Sequence, residues 1–292
     1  VGAPKITVVG SINMDLITRV ARIPEQGETM FGEMFTMKPG GKGANQAVAA
    51  ARTGAEVTMI GKVGYDALGQ ELLTHLKQEQ ICTKAVEKDQ SSSTGVANVL
   101  LQDNDNRIMV VSGANQKVTP LYVEKWKDVL LNSDLVLMQL EIPVETVIWC
   151  GQFCAANDIP FVINPAPAEK LPDSIWKQCR YITPNEEEGL KLFEGSSEII
   201  KEKVITTIGP KGTRYKEKII PAFPAKVVDT TGAGDTFNGV FAFCLASGME
   251  VESAILHANT AASIAVETLG AQEGMPTREL IQKRLEEWRP KP

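Results

Sequence analysis

Short runs of β-branched and other apolar residues alternate along the chain with longer stretches of helical period. Residues 6–10, 57–60, 135–140, 161–164 and 204–208 read as buried strands. Strands spaced by helical stretches predict βαβ units, and hence an α/β fold: a doubly wound, mostly parallel sheet flanked by helices. In open sheets of this kind a ligand sits beyond the carboxyl ends of the strands, and Asn13, Glu141, Asn164 and Gly209 fall at or just after such ends. Two stretches, 15–37 and 96–111, break the alternation, the second with a turn at Asp103-Asn104-Asp105-Asn106 between apolar arms. They predict a small β lid, of about 15–38 and 95–112, on a single domain spanning 1–292.

Composition narrows the function without naming it. A net charge of −6 argues against a nucleic-acid-binding surface. No apolar run is long enough to span a membrane and no signal peptide is evident, so a reducing cytoplasm is the expected compartment. The five cysteines (Cys82, Cys150, Cys154, Cys179, Cys244) have no metal-binding spacing; Cys150 and Cys154, four apart in a helical pattern, read as core thiols.

The candidate chemistry lies in two glycine clusters. Asp229-Thr230-Thr231-Gly232-Ala233-Gly234-Asp235-Thr236-Phe237-Asn238-Gly239 leads into an apolar helix. Gly232, Ala233 and Gly234 leave their backbone N–H groups open to an anion at the positive end of that helix, and Asp235 stands beside them as a base. The plain alternative is an aspartate capping a helix after a glycine turn. Gly40-Gly41-Lys42-Gly43-Ala44-Asn45 opens a helix of small residues that another backbone or a ligand can approach closely. It is not a Walker loop, since Thr36 and Gly43 occupy places where that motif needs glycine and Ser/Thr. Phe237 stands where a Rossmann fingerprint needs its third glycine.

Together with Gly10-Ser11-Ile12-Asn13-Met14-Asp15, Ser93-Thr94-Gly95-Val96-Ala97, Met138-Gln139-Leu140-Glu141, Asn164-Pro165-Ala166-Pro167-Ala168 and Thr183-Pro184-Asn185-Glu186, these clusters resemble, in order and nearly end to end, the ribokinases of the ribokinase-like carbohydrate kinase family. The resemblance implies ATP-dependent phosphorylation of ribose at its 5-hydroxyl, in ribose catabolism, by a homodimer joined through the β lid. A kinase for deoxyribose, fructose or a nucleoside, or a non-catalytic sugar or nucleotide sensor, is the alternative. Two stretches look short beside that family: eight residues separate Gly195 from Val204, and 212–219 leaves little room for a hairpin. The Lys- and Glu-rich 196–203 reads as the edge of a mobile surface segment.

Phosphoryl transfer needs in-line placement, neutralised charge and an acceptor for the hydroxyl proton. Asp235 is the expected base, with the amides of Gly232, Ala233 and Gly234 as the anion hole. Asn185 and Glu188, three apart on the first turn of a helix, share one face. The resemblance implies Mg²⁺ at Glu188, although an acidic turn favouring the helix dipole would look the same. It assigns Asn13, Asp15, Gly41, Lys42, Asn45 and Glu141, with Asp235, to ribose; Asp15 as a turn residue and Glu141 as a neighbour of the metal stay open. It further implies an activating K⁺ held by Asp229 and by Thr231, Ala265, Thr268, Gly270 and Gly274, the last standing where some ribokinases have serine. For ATP it implies Asn185, Thr207, Gly209, Gly212, Gly234, His257 and Asn259.

Overall fold

The computed structural model describes residues 2–102 and 105–288. Its main sheet has six parallel strands in the order Tyr181–Ile182, Phe161–Asn164, Leu135–Gln139, Lys5–Val9, Glu56–Gly64, Cys82–Asp89. The first strand lies inside the sheet and the chain winds outward from it in both directions, the doubly wound arrangement expected from the alternating pattern. Because side chains alternate across a strand, Ile6, Val8, Leu135 and Leu137 enter one core while Val9, Val136 and Met138 enter the other. The first core is covered by helices Lys42–Arg52, Ala67–Gln78, Ala233–Ala246 and Val251–Ala265. The second is covered by Val144–Ala156 and Asp173–Gln178 with shorter neighbours.

Asn13–Arg19, Met34–Gly40, Gly95–Gln102 and Asp105–Val111 form a second sheet of four strands, in the two stretches that broke the alternation. Gln102 pairs with Asp105 across the predicted turn, of which Asp103 and Asn104 lie outside the described residues. The run 204–208 departs from expectation. The run meets the main sheet through an isolated bridge of Val204 to Ile182, and its Ile205–Thr207 opens a three-stranded antiparallel sheet with Thr213–Tyr215 and Lys218–Ile220. The hairpin therefore forms despite the short 212–219. The stretch 196–203 is also built, around helix Glu198–Lys201, whose Ile200 is buried in the second core.

Cys150, Cys154, Cys179 and Cys244 are buried free thiols, and burial pushes Cys154, Cys179 and Cys244 up to about 12. Among the described residues no helix is long and apolar enough to cross a membrane.

The contact that matters most for the site is between helices Lys42–Arg52 and Ala233–Ala246. At Gly239 a Cβ would lie 2.5 Å from the carbonyl oxygen of Gln46 and 2.6 Å from Cβ of Ala49, so the two helices meet almost backbone to backbone. Ala47, Val48, Ala49 and Ala50 are fully buried there. The small-residue helix is thus used for close approach by another backbone.

Candidate active site

Gly232 takes a left-handed conformation (φ 75°) and starts helix Ala233–Ala246, placing Asp235 in its first turn. The N–H of Ala233 bonds the carbonyl of Thr230 at 3.2 Å, whereas those of Gly232 and Gly234 bond no group among the described residues. Asp235 is 8 % exposed, and both its oxygens are held by carboxamides of the facing helix. Asn45 Nδ2 donates to Oδ2 and Gln46 Nε2 to Oδ1, each at 2.9 Å. Gln46 also donates to Asn164 Oδ1 (3.0 Å) and accepts from Gln139 Nε2 (2.7 Å), tying the aspartate to two strand ends of the main sheet.

Lys42, Asn164, Thr183, Asn185, Glu188, Thr207, Gly232, Gly234, Asp235 and Asn238 surround a cavity of about 230 Å³ beyond those strand ends. Lys42 is held above its ordinary value: burial alone would lower it, but the charges of Asp235, Glu141, Glu188 and Asp15 prevail. Asn185 caps helix Glu186–Phe193. Its Oδ1 accepts from Glu188 N at 2.8 Å, and its own N–H donates to Glu188 Oε2 at 2.9 Å. Glu188 therefore does serve the helix end, and it faces the cavity as well. Burial raises its carboxyl, helped by Glu187 and Asp235 and opposed by Asn185 N–H and Lys42.

The remaining sugar candidates stand where the two sheets meet. Glu141 Oε2 accepts from Ser11 Oγ (2.5 Å) and from the N–H of Lys42 (3.0 Å), which supplies the helix start that Gly41 (φ 88°) cannot cap. Asn13 is buried and accepts from Asn115 Nδ2 at 2.7 Å. Asp15 lies on strand Asn13–Arg19 against Gly40, where a Cβ would overlap its carboxylate. It is a strand residue, so the turn alternative is set aside.

Asp229 bridges two loops. Oδ1 accepts from Thr231 N–H (2.9 Å) and Oγ1 (2.7 Å), and Oδ2 from Gly270 N–H (2.9 Å). Burial would raise its carboxyl, but these donors and Lys38 hold it below the usual range. Thr268 N–H bonds the Ala265 carbonyl at 3.3 Å, and Gly274 packs so tightly on that carbonyl that a Cβ would overlap it. Asp229 thus joins the loop of Thr231 to that of Gly270, while the Ala265 carbonyl is shared by Thr268 and Gly274. Among the described residues no cluster of three or more His, Cys, Asp or Glu is arranged for a metal ion.

The nucleotide candidates are more dispersed. Thr207 lines the cavity and pairs with Asn185, and Gly209 (φ 57°) opens onto free space. Gly212 (φ 104°) packs under the backbone of 220–222. Asn259 is buried as a clamp on the hairpin: Oδ1 accepts from Thr213 Oγ1 (2.6 Å), and Nδ2 donates to the carbonyls of Ile220 (2.9 Å) and Pro221 (3.2 Å). His257 Nδ1 contacts the Ser253 carbonyl one turn back at 2.8 Å. Neither His257 nor Asn259 lines the cavity.

A family profile described as pfkB family carbohydrate kinase matches residues 3–278. The chain is 45 % identical over 289 residues to a ribokinase of Bacillus subtilis, covering 96 % of this chain and 99 % of that one. It is 44 % identical over 293 residues to a ribokinase of Lactococcus lactis, covering 97 % of each. Among solved structures it is similar to Arabidopsis thaliana ribokinase complexed with ribose and ATP, with a TM-score of 0.89 and 31 % identity over 97 % of this chain and 99 % of that one.

The electrostatics carry a prediction of their own. Burial, then Glu141, Asp235 and Glu273, raise Asp15 from its ordinary 3.8 to about 7, against the pull of Lys42. Between those values the folded protein keeps a proton that the unfolded chain releases. The stabilisation from it is complete below about pH 4 and is lost as pH rises through 7. Without ligand, Asp15→Asn should therefore gain on the native protein by on the order of 2 kcal/mol between pH 5 and pH 8 in urea unfolding. An unchanged difference would mean that Asp15 is ionised throughout.

Proposed function

The chain belongs to the pfkB family of carbohydrate kinases, and on that premise we propose that it transfers the γ-phosphoryl group of ATP to the 5-hydroxyl of D-ribose, giving ribose 5-phosphate and ADP. The observation that carries the reading is the buried Asp235, gripped on both oxygens beside open amides at a helix start. In this reaction the hydroxyl oxygen attacks the γ-phosphorus, its proton passes to Asp235, and the bond to the β–γ bridging oxygen breaks so that ADP leaves with the electron pair. The N–H groups of Gly232 and Gly234, with the helix dipole behind them, face the charge on the transferring group; Ala233 joins them only if its bond to Thr230 opens.

Asp15, Asn13, Asn45, Glu141, Lys42 and the Gly41 amide are the proposed ribose contacts, with the four-stranded sheet acting as a lid. Asn185, Thr207, Gly209 and Gly234 are proposed for ATP, with Gly212, His257 and Asn259 framing its outer part. Four carboxylates surround one lysine here, a poor field for a polyphosphate unless cations accompany it. Glu188 is the residue that would hold Mg²⁺, an ion content with one carboxylate, substrate phosphates and water; bound there, it would neutralise charge on the phosphates. Asp229 and the carbonyls of Thr231, Ala265, Thr268, Gly270 and Gly274 would hold K⁺, whose part is to keep the anion loop in shape. The four-stranded sheet exposes Phe35, Ile108, Met109, Val110 and Val111 by more than half, an apolar area that suits a second copy of the chain.

Asp235→Asn keeps size but takes no proton, and keeps only one of the two acceptor oxygens that Asn45 and Gln46 bond. It should lower kcat at least ~100-fold, as base catalysis typically contributes, while ribose binding by calorimetry stays within a few-fold. More than a tenth of native kcat in the variant would remove Asp235 as the base, and preferred turnover of fructose, deoxyribose or adenosine by the native enzyme would replace ribose as the substrate.

Activity should be low in choline or sodium buffer and rise with K⁺ at constant Mg²⁺, mainly in kcat or ATP affinity, with Asp229→Ala behaving as the K⁺-free enzyme does. Equal rates in choline and potassium would refute the cation site.

Sedimentation should give twice the chain mass for the native protein and the chain mass for Ile108→Lys/Val110→Lys. A native monomer at micromolar concentration would exclude the dimer.

A further inference from the structure

We propose that Gln272 is a positioning residue for Asp235, acting through Asn45, and that its direction is set by His75 on the neighbouring helix. The inference rests on Asp235 being the base. An ionised carboxylate only accepts hydrogen bonds, so Asn45 must turn its Nδ2–H toward Asp235 (2.9 Å). Asn45 Oδ1 then points away and needs a donor, which is Gln272 Nε2 at 2.7 Å. That leaves Gln272 Oε1 facing outward, where it meets His75 Nε2 at 2.6 Å, a contact that holds only when Nε2 carries the proton. Each group's direction thus follows from that of the next, from a half-buried imidazole to the proton acceptor.

The backbone gives this path a fixed frame. Arg52 Nη1 donates to the carbonyls of Gln272 (2.5 Å) and Met275 (3.1 Å), and the same guanidinium pairs with Glu79 through Nε–Oε2 (2.9 Å) and Nη2–Oε1 (2.7 Å). Arg52 shares helix Lys42–Arg52 with Asn45, and Glu79 ends the helix Ala67–Gln78 that bears His75. Asn45 and Gln272 are 5 % and 3 % exposed, so neither has water to offer it another partner. The other oxygen of Asp235 is held differently: Gln46 is oriented by Gln139 on the main sheet, and that path ends at Gln139 Oε1, a buried acceptor with no partner among the described residues. One oxygen is therefore referenced to the sheet and the other to a side chain near the surface. A group at 75 that only accepts would reverse Gln272, then Asn45, and turn Asn45 Oδ1 against the carboxylate.

The test compares His75→Glu, which accepts, with His75→Gln, which can still donate, using Lys77→Glu on the same helix to control for added negative charge. Ribose phosphorylation is measured beside the side-chain amide resonance of Asn45, identified by its loss in Asn45→Asp. His75→Glu should lower kcat at least tenfold, leave KM for ATP within twofold and move the Asn45 resonance. His75→Gln and Lys77→Glu should stay within twofold of native kcat with the resonance in place, and Gln272→Glu should match His75→Glu. A His75→Glu enzyme within twofold of native kcat, or an unmoved Asn45 resonance, overturns the proposal. If the native protein ignores ribose, the substrate assignment fails, and the same comparison is run on the sugar it does phosphorylate.

Discussion

Everything in the site is referenced to the grip of one helix on an aspartate of another. Asn45 and Gln46, adjacent on helix Lys42–Arg52, take the two oxygens of Asp235 at the start of helix Ala233–Ala246. Two consecutive side chains reach one carboxylate only if the helices run very close, and Gly239 with the buried alanines at 47, 49 and 50 allows that. The same helix start carries Lys42, whose N–H is held by Glu141 from the end of a central strand. Sheet, sugar side and phosphate side are thereby fixed to one another through a single turn of helix.

The second determinant is an excess of negative charge. Asp15, Glu141, Glu188 and Asp235 all act on Lys42, and Asp15 is displaced toward neutrality by burial and then by Glu141, Asp235 and Glu273. Three of the four have a local structural partner: Glu188 closes a capping box, Glu141 starts a helix, Asp235 is held by two amides. Hydrogen bonds hold these three in place, and the summed negative charge is left to be balanced by what binds.

Much of this was readable from residue order. The strands at 6–10, 57–60, 135–140 and 161–164, the separate four-stranded sheet and the glycine turn before Asp235 follow from period, β-branching and the steric freedom of glycine, all of them local properties. The expectation failed at 204–208, where an apolar run looked like a sheet strand but pairs mainly with its own hairpin, a choice made by the following residues. Of the amides around Asp235, residue order marks Asn45 for the sugar and Asn164 as a strand-end residue, but gives Gln46, Gln139 and Gln272 no role. These glutamines carry no period and no charge, and the partners that tie them to the site lie 93 to 227 residues away. A polar residue inside an alanine-rich buried helix, as at Gln46, is the trace they leave. Asn259 was singled out for nucleotide, yet its side chain is engaged by the hairpin it clamps, a role that no short motif encodes.

The placement of Asp15 has a consequence for how such an enzyme diversifies. Asp15 belongs to a strand of the four-stranded sheet, lying on Gly40 of the next strand, whereas Asp235, the proposed proton acceptor, and the two amides that hold it belong to the helix pair. On the roles proposed above, the sugar is held partly by that strand and partly by the helix that grips Asp235, since Lys42 and Asn45 belong to the helix. If those roles hold, substrate preference can drift at Asp15 without disturbing the chemistry, whereas at Asn45 one side chain serves both and neither can change alone.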